Sequence, residues 1–460
     1  MFINRLPELS YLEEKYDSGK AELIIVYGRR RLGKTTLIRR FLKGREGAYL
    51  IVSRLDAKVL DDFSRMLSDQ LGMSYRPLFG EYRDFYKFLS ILSARKRFAL
   101  AIDEFQRIAE SDPSFLMQLQ EAWDSYLVKT KLMLILVGSA VGVIERVGLS
   151  SASPLYGRRT GQIRLKPMPF PCASLFFKGY SVEDKVRGYS VFGGVPAYLS
   201  MIDPSKSLMQ NISHLILDRR GPLYEEPYHL LSEETREPLR YMAILEAMSW
   251  GGTTLGEISG RSGVPSSNLP KYIKILEREL DIVERQAPLL EEKIRGKHRY
   301  YLKDHYLRFW FKYVKPNIHL LEMDEAERIA VKVGREIDAH ASAAFEEIAR
   351  EHFTRTVNAT RIGRWWRRDV EIDCIAIDEK TGTAYFMEAK WTSKPVDRGE
   401  LNNLIKKSDE FPWKRNSRRE VYILYSRRGF TFQQEKDIRL YTLNQILEEL
   451  KCKNPKNIIS

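Results

Sequence analysis

One glycine-rich segment of the chain has residue types and a spacing that are suited to holding phosphate groups. Residues 28–35 read Gly-Arg-Arg-Arg-Leu-Gly-Lys-Thr and match the pattern G-x-x-x-x-G-K-[ST]. In such a loop the backbone amides cradle phosphate oxygens, the lysine reaches the β- and γ-phosphates, and the threonine hydroxyl binds magnesium. The sequence therefore predicts binding of ATP with Mg²⁺. The residues expected around the nucleotide are Gly28, Arg29, Arg30, Arg31, Leu32, Gly33, Lys34, Thr35 and Thr36.

Two acidic residues follow a second apolar run, where a P-loop protein needs carboxylates. Residues 98–102 are Phe-Ala-Leu-Ala-Ile, and Asp103 and Glu104 come directly after them. We expect Asp103 to bind the magnesium ion and Glu104 to polarise the water that attacks ATP, which predicts hydrolysis. Acids after a strand can also cap a helix, but their pairing with a P-loop favours the catalytic interpretation. Ser139 follows another apolar run and is either a sensor of the γ-phosphate or a turn residue.

The elements that must position these residues are visible as short apolar runs. Five segments have the character of buried strands, and helix-compatible segments separate them. A helix is expected directly after the P-loop, which would place the phosphates at its N-terminus. This pattern predicts a three-layer αβα fold with a parallel sheet and ligands at the carboxyl ends of the strands. The five runs are residues 22–27, 48–53, 98–103, 131–137 and 162–166.

The order of these motifs resembles the archaeal ATPase family, which lies within the AAA+/STAND region of the P-loop NTPases. The resemblance extends over essentially the whole chain. It implies that Arg158 or Arg159 approaches the nucleotide and that a helical lid contacts it through Pro196. Taken alone, two arginines after a turn are more typical of a solvated loop. The segments that carry the resemblance are residues 2–5, GRRRLGKTTL, AIDEF, VGSA (where relatives often have two serines after the glycine) and residues 153–160.

Residues 171–235 have the helical spacing expected of such a lid, and residues 236–315 predict a winged helix-turn-helix. Helices are expected at 237–249, at 255–260 and from about 267, followed by a β-hairpin that joins 282–285 to 299–302. A basic third helix and a basic wing favour DNA as a partner. The alternative is a packing or coupling module. The expected DNA contacts are Lys271, Lys274, Arg278, Lys293, Arg295, Lys297 and Arg299.

The last part of the chain has the residue pattern of a PD-(D/E)XK nuclease. Asp373 lies in one strand-like run, and Glu388 and Lys390 lie on one face of the next because strand side chains alternate. Asp373, Glu388 and Glu346 are candidate ligands for Mg²⁺ or Mn²⁺, and Lys390 is a candidate to orient or activate water. The alternative is an ordinary surface pair of strands. The family resemblance also implies a nuclease-like fold here.

Composition limits the class of protein. The chain has 460 residues, 43% hydrophobic and 30% charged, with a net charge of +14, which favours a soluble multidomain protein with a polyanionic partner. No apolar run is long enough to span a membrane, the start does not resemble a secretory signal, and three widely separated cysteines fit a reducing cytoplasm. The expected domains are the ATPase (1–170), the lid (171–235), the winged helix (236–315), a linker helix (316–340) and an α/β restriction-endonuclease-like domain (341–460).

These patterns support two hypotheses from different classes. The first is an ATPase that couples hydrolysis to DNA binding, and through its last domain to metal-dependent DNA cleavage. The second is a STAND-like nucleotide switch that regulates protein partners, with the nuclease-like domain kept as an inert scaffold. The second hypothesis predicts slow turnover, no cleavage and ATP-dependent assembly, such as a homo-oligomer.

Overall fold

The computed structural model describes residues 5–55, 58–292, 294 and 296–452. The described chain forms two compact units. The first contains the residues up to Pro167 together with Arg278–Asp281, and the second contains Met168–Glu277 and Ile282–Cys452. Two predicted DNA contacts, Lys293 and Arg295, lie outside the described residues. Within these ranges no helix combines the length and the apolar character that crossing a lipid bilayer requires.

The first unit is built on a five-stranded parallel sheet. The strand order is β2-β3-β4-β1-β5, and every neighbouring pair is parallel. Strands β1, β3 and β4 are buried along their whole length, which explains why they are nearly continuous apolar runs. The predicted parallel α/β fold is confirmed. The strands are β1 (Glu22–Tyr27), β2 (Gly47–Ile51), β3 (Phe98–Asp103), β4 (Leu132–Gly138) and β5 (Gly161–Arg164).

Helices connect these strands and cover the sheet. The helix after the P-loop begins at Lys34, directly after Gly33, whose left-handed backbone (φ 84°) ends the loop. The chain therefore turns from strand to helix within the motif itself. The helices of this unit are Leu6–Asp17, Lys34–Leu42, Val59–Leu71, Tyr82–Leu92, Phe105–Ser111, Ser114–Ser125, Leu127–Lys129, Val141–Ile144 and Glu145–Leu149.

The second unit begins with a helical region that ends in a two-stranded hairpin. Three helices precede the hairpin at the predicted positions, and the hairpin pairs β6 (Val283–Gln286) with β7 (Arg299–Leu302) in antiparallel register. Thr254 and Glu257 form a capping box at the start of the second of these helices, and Gly263 ends it with φ 69°. The helices before the hairpin are Phe170–Ala173, Ser174–Phe176, Val182–Phe192, Pro196–Leu199, Leu208–Ile212, Ser213–Leu217, Glu226–Glu234, Pro238–Ser249, Leu255–Ser262, Leu269–Lys274 and Ile275–Glu279.

The region between the hairpin and the last domain differs from the prediction. The linker helix expected within 316–340 does not end there but continues into the range expected for the last domain, as one helix, Ala326–Thr356. Its buried residues continue at helical spacing from Ile329 to Phe353, and no proline interrupts it. The high charge of the first half hid this continuity in the sequence. The shorter helices before it are His305–Phe309, Trp310–Val314, Lys315–Asn317 and Ile318–Glu322.

The chain ends in an α/β domain with a five-stranded mixed sheet. Its order is β12-β11-β10-β9-β8, with antiparallel pairing among β8, β9 and β10 and parallel pairing among β10, β11 and β12. The separate C-terminal α/β domain is therefore confirmed. The strands are β8 (Arg361–Arg367), β9 (Val370–Asp378), β10 (Thr383–Lys390), β11 (Arg419–Ser426) and β12 (Ile438–Thr442), and the helices are Arg398–Ser408 and Leu443–Glu449.

A disulfide within the second unit was not expected from the sequence. It joins Cys172 to Cys452 across a sequence separation of 280 residues, and Cys374 is a free, buried thiol. Because the two partners come together only in the folded unit, spacing along the chain gave no sign of the pairing. A reducing cytoplasm stays a prediction, and this disulfide counts against it.

Candidate functional site

The P-loop depends on its two glycines for different reasons. Gly28 ends β1 with φ 149°, and a Cβ atom there would lie 2.4 Å from the carbonyl oxygen of Leu165. Gly33 has φ 84° with open space around it, so it is needed for its backbone conformation alone. The buried Arg5 side chain supports the loop by donating to the carbonyl oxygens of Leu32 (3.2 Å) and Lys166 (2.6 Å). The sequence did not indicate this role of Arg5.

Lys34 and Thr35 follow directly at the start of the helix. The Lys34 ammonium group donates to the carbonyl oxygens of Gly28 (2.7 Å) and Arg29 (3.0 Å), so it lies across the mouth of its own loop. The Thr35 hydroxyl donates to Oδ2 of Asp103 at 3.1 Å. A hydroxyl and a carboxylate side by side are hard oxygen ligands, and they fit a magnesium ion. The structure therefore brings together the predicted lysine, threonine and aspartate.

Among the residues that the structure describes, the Asp103 carboxylate has three donors, all of them uncharged. Besides Thr35, the hydroxyl of Tyr49 donates to Oδ2, and the backbone amide of Glu104 donates to Oδ1 at 2.9 Å. Burial, followed by the hydrogen bond to Asp103, raises the pKa of Tyr49 well above its ordinary value. The phenol is thus a hydrogen-bond donor at neutral pH. The sequence analysis missed Tyr49, because its contact depends on the pairing of β2 with β3.

Glu104 is also held by uncharged groups. The Ser139 hydroxyl lies 2.9 Å from both carboxylate oxygens of Glu104, and the Gln106 amide nitrogen donates to Oε2 at 2.5 Å. Glu104 adopts a left-handed backbone (φ 59°), which turns the chain sharply at the end of β3. Ser139 thus lies beside Glu104, and its sensor role stays a prediction. Gln106 was missed.

The two arginines that the family resemblance implies at the nucleotide have other partners here. Arg158 pairs with Asp124 through Nε–Oδ1 (2.8 Å) and Nη2–Oδ2 (2.6 Å). Arg159 donates to the side chain of Gln162 at 2.9 Å. Pro196 begins a short helix of the second unit. The nucleotide contacts of Arg158, Arg159 and Pro196 therefore stay predictions.

In the second unit the structure brings Asp373, Glu388 and Lys390 together, as strand alternation predicts. Met387 of β10 pairs with Cys374 of β9, so the next residues along, Glu388 and Asp373, are neighbours. Lys390 Nζ lies 3.0 Å from Glu388 Oε1. We call Asp373, Glu388 and Lys390, with the two residues described next, the C-terminal acidic site.

Two residues of the helix Arg398–Ser408 complete this site, and the sequence analysis missed both. Lys407 Nζ lies 2.9 Å from Glu388 Oε1, and Glu400 Oε2 lies 3.1 Å from Lys390 Nζ. Burial lowers the pKa of Lys390, but Glu388 and Glu400 outweigh it, so the net shift is upward. Burial, and then the charge of Glu388, raise the pKa of Asp373 to about 6. The site is a compact network of mutually neutralising charges.

The third predicted metal ligand, Glu346, is also paired with a cation. Its carboxylate contacts the guanidinium of Arg364. Throughout the described ranges, no three His, Cys, Asp or Glu side chains come together in a group that could hold a metal ion. Cationic side chains pair with Glu346 and Glu388, whereas Asp373 accepts the backbone amide of Ala389 at 2.9 Å. Metal binding by Glu346, Asp373 and Glu388 therefore stays a prediction.

The candidate DNA contacts fall into two groups. Lys271, Lys274 and Arg278 of the third helix are exposed, and Lys271 lies 3.9 Å from Glu237. In the hairpin, Lys297 pairs with Glu291, and Arg299 pairs with Glu371 at 3.1 Å. Of the predicted wing residues that the structure describes, both therefore have partners inside the second unit.

The hairpin is docked on the edge of the C-terminal sheet. The amide of Leu289 donates to the carbonyl oxygen of Arg364 at 2.8 Å, and Leu289 is buried in the core of that domain. Arg299 lies over the ring of Trp366 with 4.7 Å to the centroid, and Arg361 pairs with Glu292 at 2.9 Å. Edge strand β8 is therefore covered rather than open to solvent.

Comparison with known protein families assigns both ends of the chain. A family model described as an ATPase domain predominantly from Archaea matches residues 2–202. A second model, described as archaeal and bacterial proteins of unknown function, matches residues 310–403. The first match covers the P-loop and the acidic pair after β3, and the second includes Asp373 and Glu388.

Individual relatives agree with this assignment. An uncharacterized protein of Methanocaldococcus jannaschii is 33% identical over 398 residues, which cover 85% of this chain and 88% of that protein. An uncharacterized ATP-binding protein of the same organism is 56% identical over 46 residues, 10% of this chain and 78% of that protein. Among solved structures, the Walker-type ATPase PABY2304 of Pyrococcus abyssi is similar in fold, with a TM-score of 0.50 and 20% identity over 68% of this chain and 96% of that chain.

Proposed function

The chain belongs to the family of ATPases found predominantly in Archaea, and we propose that it couples Mg²⁺-dependent ATP hydrolysis to binding of DNA. The observation that carries the ATPase part is the convergence of Lys34, Thr35, Asp103 and Glu104 at one end of the parallel sheet. The observation that carries the DNA part is the exposed basic third helix in a chain of net charge +14.

The residues of the P-loop site would divide the work of hydrolysis. Lys34 and the loop amides bind the β- and γ-phosphates, and Thr35 and Asp103 hold the magnesium ion. When bound, magnesium neutralises charge on the phosphate oxygens and on the leaving group. Glu104 orients and polarises the attacking water, and Ser139 with Gln106 fixes the direction of its carboxylate. Arg158 and Arg159 would reach the nucleotide only after their present contacts are broken.

DNA binding would rest on the third helix, with Lys271, Lys274 and Arg278 as phosphate or groove contacts. The hairpin would act mainly as a brace between the helical region and the C-terminal sheet, since Arg299 is paired with Glu371. Lys297 remains a candidate phosphate contact in the hairpin, as do Lys293 and Arg295, which lie outside the described residues. DNA binding of this kind depends strongly on salt because each contact releases counterions.

Electrophoretic mobility shifts on duplex and single-stranded DNA, with ATP, ADP or no nucleotide, test this proposal. We expect Lys271→Ala/Lys274→Ala to weaken binding at least tenfold and to lower its salt dependence. Lys332→Ala/Arg335→Ala is the matched control, since both residues are exposed cations on the helix Ala326–Thr356. Equal losses of affinity in both double variants would mean that the effect comes from net charge alone. A DNA affinity that is the same with ATP, with ADP and without nucleotide would refute the coupling.

Metal-dependent cleavage of DNA is a second candidate function, favoured by the contact of Lys390 with Glu388 opposite Asp373. The ion pairs of Lys407 and Arg364 favour the rival interpretation, a nucleotide switch with an inert nuclease-like scaffold. Incubation with plasmid and branched DNA plus Mg²⁺ or Mn²⁺, with and without ATP, separates the two. Cleavage that Glu388→Ala/Lys390→Ala abolishes and Lys34→Ala alters would establish an ATP-controlled nuclease. Intact ATP hydrolysis without cleavage would establish the inert scaffold.

A further inference from the structure

Tyr49 makes a contact at the P-loop site that the proposed roles of the other residues do not use. Its hydroxyl donates to Oδ2 of Asp103, the same oxygen that accepts the Thr35 hydroxyl at 3.1 Å. The other oxygen of Asp103 accepts the backbone amide of Glu104 at 2.9 Å. Oδ2 therefore accepts two donors and Oδ1 accepts one, so both oxygens are oriented and Oδ1 keeps a lone pair for a further partner.

Tyr49 itself is held from several directions. It lies in β2, the edge strand of the sheet, where its outward-facing backbone would otherwise lack partners. The side chain of Gln70 supplies a partner for each of these backbone groups. The Tyr49 amide donates to Oε1 of Gln70 (2.8 Å), and Nε2 of Gln70 donates to the Tyr49 carbonyl (2.9 Å). The Arg39 guanidinium covers the ring at 5.3 Å from its centroid. The position of the phenol oxygen is thus fixed by strand, helix and ring contacts before any ligand arrives.

We propose that Tyr49 is a positioning residue that orients the Asp103 carboxylate toward the magnesium ion of bound ATP. The inference rests on the proposed role of Asp103 in the ATPase site. A carboxylate free to rotate at the end of a strand would lose orientational freedom when the ion binds, whereas one that is already fixed does not. Partners of this kind, one step removed from the ion, commonly change metal affinity by roughly 10- to 100-fold.

The test is Tyr49→Phe, which keeps the ring, its burial and the Arg39 contact but removes the hydroxyl. The measurement is binding of a fluorescent ATP analogue by the full chain, titrated with Mg²⁺ and repeated in EDTA. We expect the variant to need roughly tenfold more Mg²⁺ for half-maximal binding, with affinity in EDTA unchanged. Tyr82→Phe is the matched control, because this buried tyrosine also bonds to an aspartate, Asp112.

Several other results would overturn the proposal. An unchanged Mg²⁺ requirement in Tyr49→Phe would overturn the proposal, and so would an equal loss of affinity with and without Mg²⁺, since that reports general damage to the loop. A similar shift in the Tyr82→Phe control would have the same meaning. If nucleotide binding by the unmodified chain does not depend on Mg²⁺ at all, the role of Asp103 fails first, and the role of Tyr49 fails with it.

Discussion

Each unit of the molecule has a pair of carboxylates at its sheet, and Glu104 of the first pair and Glu388 of the second are held by opposite kinds of donor. In the P-loop site the donors to Asp103 and Glu104 are hydroxyls, an amide side chain and a backbone amide. In the C-terminal acidic site Glu388 is bonded by the ammonium groups of Lys390 and Lys407, while Asp373 accepts the backbone amide of Ala389.

This difference separates a carboxylate prepared for an external cation from one that already has internal cations. Uncharged donors fix the direction of a carboxylate and leave its full negative charge for a magnesium ion. Lysines at about 3 Å neutralise the charge, and a metal would have to displace them. In both sites the sequence motif shows a pair of acidic residues. The donors that surround the acids distinguish the two sites, and the acids themselves do not.

The largest expected effect comes from Lys34→Ala, which should act on the P-loop site alone. We expect kcat/KM for ATP hydrolysis to fall by roughly 100- to 1,000-fold, since a cation directed at the transferred phosphate is lost. Lys43→Ala, an exposed lysine just after the same helix, is the control. The measurement is steady-state phosphate release. Any matching change in the urea midpoint of the second unit would show that the two sites are not independent.

The next effect is a gain in stability from Asp373→Asn. The folded chain keeps Asp373 protonated up to a pKa of about 6, against 3.8 for an unperturbed aspartate. The contribution of Asp373 to stability should therefore be greatest below about pH 4 and be lost as the pH rises from about 4 to 6. At pH 7 the variant should be more stable by up to about 3 kcal/mol, with roughly half that gain at pH 5.

Urea denaturation at both pH values, followed by tryptophan fluorescence, checks this prediction. Asp378→Asn in the same strand is the control, and we expect it to lower stability at neutral pH rather than raise it. Hydrogen bonds, first that of Thr381, lower the pKa of Asp378, so its ionised form stabilises the fold at neutral pH. A stability gain from both variants would mean that the effect does not arise from the raised pKa of Asp373.

Glu388→Gln should be destabilising, because it leaves Lys390 and Lys407 without their shared partner. We expect the free energy of unfolding to fall by about 1 to 2 kcal/mol. This loss is smaller than for an ordinary buried ion pair, because removing the charge of Glu388 also relieves its repulsion with Asp373. Glu371→Gln, which breaks the more exposed pair with Arg299, should cost less than about 1 kcal/mol. Chemical denaturation of both variants makes the comparison. If the Glu388 variant is as stable as wild type, the lysines are not held by this carboxylate in solution.

The smallest effect is expected from Ser139→Ala. It removes one of the donors to Glu104 and leaves Gln106 in place. We expect kcat to fall several-fold with little change in KM, since the hydroxyl orients the catalytic carboxylate and does not bind substrate. Single-turnover hydrolysis measures the chemical step directly. An unchanged rate would make Ser139 a turn residue, the other option that the sequence allowed.

The predictable part of the molecule is the part that is local in sequence. The five strands, the P-loop helix and the positions of Asp103 and Glu104 follow from apolar runs and one motif, and alternation alone placed Glu388 beside Lys390. Contacts across the fold could not be read in this way. Tyr49 and Lys407 reach their carboxylates only through strand order and helix docking, and no local pattern marks them. Gln106 lies only two residues from Glu104, but no motif distinguishes it.

Charged residues limit what the sequence shows in two places. Charged surface positions in the helix Ala326–Thr356 obscured an apolar stripe that runs through it without a break. Arg299, a predicted DNA contact, pairs with Glu371, so its contact with DNA stays a prediction. A sequence shows the charge of a residue, whereas its partner depends on which elements pack together.

The central claim is that Glu104 performs the chemical step of an ATPase whose other groups bind the nucleotide. Glu104→Gln tests it most directly, because the amide keeps the size of the side chain and removes its ability to polarise water. ATP binding and single-turnover hydrolysis should be measured on the same preparation. We expect ATP affinity within about threefold of wild type and hydrolysis slowed by at least roughly 100-fold. Hydrolysis at the wild-type rate, with Lys34→Ala inactive, would contradict the account and assign the attacking water to another residue.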